Sequence, residues 1–355
     1  MGVHLFRELQ RLSDNRRPTS DDQLKEAHNI LRALRYYLAG FLLLIAATSV
    51  LLYTRPSPER SVLVVAAPAP QVELLPAYLA LALGYFEINR CDVRFTYTAA
   101  DRPKLQEAAL IACRLEDILY ARTLNQERLI ATTVLTDREN AVLLSREQEP
   151  FEWKKTHEQS IISGGPSSST TAILEYMLQQ NKILPHREVT LMQNIPAQLR
   201  VPAFLAGTAD FLVAYEPEAT LLTKQNQAFV ATRVYFEERL PLIVLAAEEG
   251  FVAQNQKAVA DFNRTLDQAR DYLYAHTPKE IAFLTGPYFP HLSLSTLETV
   301  IERGQQEKIW NAGGIVNPAA YARLQEVLKQ AGELPRPVAY EDVFMGQKLE
   351  VEGEK

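Results

Sequence analysis

The chain has only two cysteines in 355 residues, Cys91 and Cys113, and they match no metal-ligand spacing. On an alternating β/α reading both sit where a helix has ended and the next strand begins. A single disulfide in an oxidising compartment and a pair of small buried thiols both fit that placement. The six histidines, His4, His28, His157, His186, His276 and His291, form no catalytic or metal motif, and His186 falls in a Pro-His-Arg loop. There is no Gly-x-Ser-x-Gly elbow, no Gly-x-x-x-x-Gly-Lys loop and no lysine in a Schiff-base context, so nothing marks a placed nucleophile or base. A net charge of −6 leaves no basic footprint for nucleic acid. What remains, 47% hydrophobic and 23% charged, is an ordinary globular composition, long enough for two α/β lobes.

Residues 36–54, YYLAGFLLLIAATSVLLYT, carry no charge and would span about 27 Å as a helix, enough to cross a bilayer. Tyr36, Tyr37 and Tyr53 mark its ends as interface anchors would. Arg7, Arg11, Arg16, Arg17, Lys25, Arg32 and Arg35 precede it and only Arg55 and Arg60 follow closely. That bias places residues 1–35 in the cytoplasm and the bulk of the chain outside. The stretch before the apolar run is long for a signal peptide, no A-x-A site or lipobox cysteine follows, and Arg16-Arg17 lies too far upstream for a twin-arginine signal. A retained signal anchor at 36–54 is the expectation. It is fed by a helix over 21–38, with Ser20 and Gln23 in capping-box spacing.

After a linker at 55–60, residues 61–67 (SVLVVAA) read as a buried first strand. A helix follows over 72–86 and a strand over 93–97. The pattern restarts at Trp153 with a strand at 160–163, a helix at 170–180 and a strand at 189–192. Residues 202–220, PAFLAGTADFLVAYEPEAT, then give a helical turn stopped by Gly207, a strand at 211–214 and a helix start at Pro217. Pro202 should kink or restart the helix expected over 194–206. Residues 108–121 (AALIACRLEDILYA) can be laid over 202–215 without a gap, Cys113 on Gly207 and Glu116 on Asp210, which suggests two similar lobes. A strand at 242–247 and helices at 251–276, 278–284, 294–308 and 319–331 complete the chain. The expected division is lobe one at 61–150, lobe two at 151–235, lobe one again at 236–332, and a polar tail at 333–355. The lobe crossings fall near 145–152 and 233–240.

Three of these motifs, in order, resemble the extracytoplasmic solute-binding proteins of ABC importers, in the branch of nitrate, taurine, aliphatic-sulfonate and thiamine-precursor binders. They are LALALGYFEINRCDV at 79–93, the tryptophan, strand, Gly-Gly turn and Ser/Thr-rich helix start of 153–178, and AGTADFLVAYEP at 206–217. The likeness runs from about residue 61 to 332. It departs from the family in lacking a lipobox, and near 156–159, where the usual Gly of the turn is replaced. The resemblance implies a type II periplasmic-binding-protein-like α/β fold whose two lobes close on a ligand about a double-crossing hinge. It implies no cofactor. Its partners would be a small-molecule solute, an ABC permease with its ATPase, and the membrane through 36–54. A ligand sensor or adaptor for another membrane protein, and an enzyme on the same fold, are the alternatives.

In parallel α/β lobes the loops at the carboxyl ends of the strands face the cleft. Gly165, Ser167, Ser168, Ser169 and Thr170 form a Gly-Ser-Thr helix start suited to an anion or strong acceptor, and a helix N-cap alone explains them too. Tyr97, Tyr120 and Tyr215 are candidates for an aromatic wall, with Thr98, Asn194 and Glu216 beside them. No arginine or lysine falls clearly in these loops. A dianion held by paired arginines is therefore disfavoured, leaving a neutral polar or aromatic molecule, or a monoanion held by helix dipoles.

Overall fold

The computed structural model describes residues 20–53, 62–68, 70–97, 108–125, 127–310 and 316–344. The chain divides into two units, residues 1–59 and 60–355.

The described part of the first unit is one long helix, α1 (Ser20–Tyr53). Leu38, Phe41, Leu42, Leu43, Leu44 and Ile45 are all exposed on it. Among the described residues no helix is long and apolar enough to cross a membrane. The end of the expected span, the linker at 55–60 and residues 1–19 lie outside the described residues.

Among the described residues the second unit holds two five-stranded mixed sheets. In the first, β1 (Val62–Ala67) pairs in parallel with β2 (Asp92–Tyr97) and with β3 (Leu110–Arg114). β10 (Ile243–Glu248) lies antiparallel between β3 and β4 (Leu129–Thr136). The β1 run VLVVAA is rich in valine and four of its six residues are buried, as a central strand covered on both faces requires. Helices α2 (Leu75–Ala82), α7 (Gln256–Ala275), α8 (Pro278–Thr285) and α9 (Leu294–Glu307) pack on this sheet. In α7 the buried Val259, Phe262, Leu266, Ala269 and Leu273 recur at helical spacing and make one apolar stripe. Each large side chain there stabilises the fold by about 1.5–3 kcal/mol.

The second sheet repeats the plan. β6 (Ser160–Ile162) pairs in parallel with β7 (Thr190–Met192) and β8 (Phe211–Tyr215), and β5 (Ala141–Ser145) lies antiparallel between β8 and β9 (Phe229–Val234). The orders are β2-β1-β3-β10-β4 and β7-β6-β8-β5-β9. In each sheet the fourth place goes to the strand that has just crossed from the other sheet. Helices α4 (Ser169–Gln180), α5 (Ala197–Leu205) and α6 (Glu218–Lys224) belong to this lobe.

This architecture corrects several expectations. Residues 110–114 are the strand β3, and Leu115–Tyr120 form a helix, α3, with Glu116 and Asp117 in its first turn. The gap-free overlay of 108–121 on 202–215 therefore fails, and the sheet equivalence is Leu110–Arg114 with Phe211–Tyr215. Cys91 precedes β2, whose Asp92 is level with Val62, while Cys113 lies beyond Ile111, which is level with Ala66. That puts them at opposite ends of the sheet, roughly 20 Å apart at strand rise, and no disulfide joins them. The chain leaves the first sheet over 137–140, not 145–152, because Ala141–Ser145 already pairs with β8 and β9. Pro202 sits inside α5 without ending it. The hydrogen bond it cannot make falls on the Gln198 carbonyl, in the solvent-exposed first turn.

The C-terminal region departs furthest from the expected polar tail. α10 (Pro318–Gln330) packs on α4 of the second lobe, and α11 (Tyr340–Val343) packs on β4 of the first. Leu334, Val338, Tyr340, Val343 and Phe344 are buried in a core that includes residues of both sheets. The Gln325 side chain pairs with both backbone polar groups of Val338, at 2.7 and 3.1 Å, and Tyr321 donates to the same carbonyl at 2.9 Å. Residues 345–355 lie outside the described residues.

Candidate functional site

The equivalent strands β3 and β8 end in Arg114 and Tyr215, and the Arg114 guanidinium carbon stands 6.0 Å from the Tyr215 ring centre. Arg114 is also the first-turn cap of α3, its backbone N–H donating to Asp117 Oδ2 at 3.1 Å. Its Nε donates to Glu116 Oε1 at 2.9 Å. Its Nη2 reaches Glu139 Oε2 at 2.5 Å, Thr170 Oγ1 at 2.8 Å and Ser169 Oγ at 3.1 Å. Glu116 Oε1 accepts the Ser169 backbone N–H at 2.8 Å, and Thr170 Oγ1 donates to Glu139 Oε2 at 2.7 Å. Residues of the first lobe, the 137–140 crossing and the N-terminus of α4 thus meet in one network, in which Arg114 is half-buried and its partners are buried. Burial opposes the charge on Arg114, but Glu139 and Glu116 outweigh it and hold its pKa above the usual arginine value. Burial raises the Tyr215 phenol, against the nearby Arg114 charge.

A second bridge lies beside the first. Glu216 Oε1 accepts from Arg303 Nη1 of α9 at 2.8 Å, and Oε2 accepts the Thr220 backbone N–H at 3.0 Å. Arg303 Nη1 also donates to Thr220 Oγ1 at 2.9 Å, and Lys224 Nζ to the Ser295 carbonyl at 2.8 Å. Helix α6 of one lobe is therefore pinned to α9 of the other. A cavity of about 150 Å³ opens between Glu139, Glu216, Arg233, Tyr235, Arg303 and Glu307. Glu73 is half-buried in the turn after β1. Burial moves its pKa up to about 7, and repulsion from Glu139 adds to the rise.

The expected site residues are distributed unevenly over this geometry. Ser169, Thr170 and Tyr215 enter the Arg114 network. Ser168 is the N-cap of α4, accepting from the Thr171 N–H at 3.5 Å. Gly164, just before it, has no room for a side chain: a Cβ there would stand 2.7 Å from Ser168 Oγ. Gly165 lies beside Arg200, whose Nη2 would be 3.5 Å from a Cβ at that position. Ser167, held in a left-handed conformation at φ 60°, gives its hydroxyl to Glu333 Oε2 of the C-terminal segment at 2.5 Å. Tyr120 is in α3, not after a strand, and its hydroxyl donates to the Ser167 carbonyl at 3.0 Å. Tyr97 is 45% exposed and its hydroxyl meets that of Tyr78 at 3.3 Å, in a cluster with Tyr288. No wall of three tyrosines forms. Asn194 is exposed beyond β7, and Thr98 lies outside the described residues. Glu216 caps a helix and bridges the lobes.

Arg114, Glu139 and Glu73 were missed in sequence, as was Arg200. The one local signal was the acidic pair Glu116-Asp117 after a short apolar run, which marks a helix start and so a strand end at Arg114. Among the described residues no three His, Cys, Asp or Glu side chains are arranged to hold a metal ion.

Residues 71–281, more than half of the chain, match the NMT1/THI5 like family. The chain belongs to that family. This NMT1/THI5-like chain is 23% identical over 274 residues to YtlA of Bacillus subtilis (strain 168), named as a candidate binding protein, covering 75% of this chain and 82% of the relative. It shares its fold with the periplasmic aliphatic sulphonate binding protein SsuA from Escherichia coli, at a TM-score of 0.64 and 14% identity over 78% of this chain and 95% of that one. It also shares it with the ligand-binding component of an ABC-type import system from Staphylococcus aureus, at a TM-score of 0.64 and 14% identity over 80% and 96%. The resemblance drawn from the three motifs therefore holds at the level of family and fold.

Proposed function

We propose that the protein is an extracytoplasmic solute-binding protein that captures a small polar molecule between its lobes and delivers it to an ABC permease. The observation that carries this reading is the interlobe network of half-buried Arg114 with buried Glu116, Glu139, Ser169 and Thr170, in an NMT1/THI5-like chain. Polar groups converge there from both lobes, where lobe opening would expose them to solvent. In this reading Gly165, Ser168, Ser169, Thr170, Asn194, Tyr215 and Glu216 border the solute path, with Arg114 and Glu139 at its centre. The exposed apolar side chains of α1 support the further reading that residues 36–54 tether the domain to the outer face of the membrane.

Two experiments test this. The full chain in detergent is screened by thermal shift against sulfonates, nitrate, pyrimidines and amino-acid derivatives. A solute at a hundred times its Kd adds about 2.7 kcal/mol to the folded state, and Tyr215→Ala should abolish that shift. A screen with no stabilising compound, on folded protein, turns the weight to an adaptor whose partner is another protein. For the tether, Lys279→Cys should react with a membrane-impermeant maleimide in intact cells, and labelling only after lysis would refute the orientation.

A further inference from the structure

The polar ties between the lobes differ in depth. The Arg303–Glu216 and Lys224–Ser295 contacts each carry a cation open to solvent, which weakens them. At Arg114 the acceptors are buried: Glu116 is 1% and Glu139 9% exposed. Each of these carboxylates receives one donor from the guanidinium and one from the first residues of α4. Glu116 Oε1 takes Arg114 Nε at 2.9 Å and the Ser169 N–H at 2.8 Å. Glu139 Oε2 takes Arg114 Nη2 at 2.5 Å and the Thr170 hydroxyl at 2.7 Å. The same Nη2 donates to the Thr170 and Ser169 hydroxyls. Arg233 and Arg303, which line the cavity beside Glu139, are engaged by Glu307 and Glu216. Among the described residues Arg114 is thus the one cation that pairs with Glu116 and with Glu139. A planar cation met by two carboxylates and two hydroxyls from separate segments is how a free guanidinium would be bound, and here it belongs to the chain itself.

We propose that Arg114 acts as a tethered ligand, its guanidinium drawing the two lobes together from inside the network. Without it Glu116 and Glu139 are left as uncompensated buried charges, which gain water only if α4 moves away from α3 and the 137–140 crossing. Closure of this kind needs no solute, so the inference goes beyond the solute-binding reading and stands or falls apart from it. A solute that enters the network competes with Arg114 for Glu116 and Glu139.

Hydrogen exchange of the Ser169 amide, on the full chain in detergent, tests this. Ser169 is the first residue of α4, so its N–H has no partner within the helix and its protection reports the contact with Glu116. In Arg114→Ala that amide should exchange about tenfold faster or more than in the wild type. Methylguanidinium at about 20 mM should restore most of the protection, whereas ethylammonium, which has the charge without the planar fork, should not. Wild-type exchange in Arg114→Ala overturns the proposal, as does rescue by both cations alike or by neither. Should Arg114→Ala fail to fold, Arg114→Met combined with Glu116→Gln and Glu139→Gln removes the network's charges together. That variant should exchange fast at Ser169 and ignore methylguanidinium, and wild-type protection in it overturns the proposal. The solute-binding reading is judged separately, by the thermal-shift screen.

Discussion

Replacing Glu73 by glutamine removes an ionisable group whose pKa the fold moves from 4.5 to about 7. A carboxyl raised in this way binds more protons folded than unfolded between those values, so its contribution to stability falls as pH rises through the window and is constant above it. The full shift corresponds to about 3 kcal/mol. Solvent screening at a half-buried position reduces this to about 2 kcal/mol. Glutamine keeps the size of the side chain and has no proton to lose. The variant should therefore match the wild type near pH 4 and exceed it by about 2 kcal/mol at pH 8, or about 4 °C in melting temperature for a domain of this size. Urea unfolding followed by the fluorescence of Trp153 and Trp310, at pH 4 to 8.5, measures the difference directly. A gap that is constant with pH, or one in which the variant is the less stable at pH 8, would refute the claim that Glu73 is held against its charge.

Other substitutions test other contacts. Arg303→Ala leaves Glu216, 8% exposed, with only the Thr220 N–H, and should cost roughly 1–2 kcal/mol. The same variant should raise the radius of gyration in solution scattering as α6 parts from α9, and an unchanged radius would show that this bridge does not hold the lobes. Gly164→Ala, which crowds Ser168 and Thr171, should cost about 1–3 kcal/mol in thermal melts. Gly304→Ala drives a methyl into the ring of Trp310, 1% exposed, and should cost about 3 kcal/mol by denaturant titration. Ending the chain at Gly332 strips five buried side chains from the shared core, a loss on the order of 7 kcal/mol. Calorimetry should then show no cooperative transition, and a melting point close to that of the full chain would contradict the core described above.

Much of the lobe architecture was legible because local patterns carry it. Runs such as SVLVVAA, and FLVA between Asp210 and Tyr215, are β-branched or aromatic and bounded by turn residues, so their strands were placed to within a residue or two. The stretch 108–114 was not legible, since Ala, Leu and Ile in succession suit a helix as well as a buried strand. Nor was the lobe membership of Ala141–Ser145. Pairing with β8 and β9, some seventy to ninety residues further along, is a property of the sheet and leaves no mark on five apolar residues. The loops of the candidate site were found for the right reason, their position after strands. Which of their donors are free was not legible, because that depends on where Arg114, Glu116 and Glu139 reach in three dimensions. Glu158 shows the same limit in reverse. It takes the left-handed backbone, φ 60°, in the turn where the family's glycine is missing, so the departure in sequence need not be one in conformation.

The C-terminal helices give the molecule a spine. With α10 seated on α4 and α11 on β4, the chain stitches the two lobes a third time, through packed side chains as well as by a peptide link. Two threads alone would let the halves twist, slide or swing. A dry seam along one margin resists sliding, because interiors packed at crystal density do not shear continuously. Opening of the lobes, as the solute-binding reading requires, would then be rotation about the seam, as covers turn about a binding. Ser167, held by Tyr120 on one side and Glu333 on the other, ties the glycine loop to that binding.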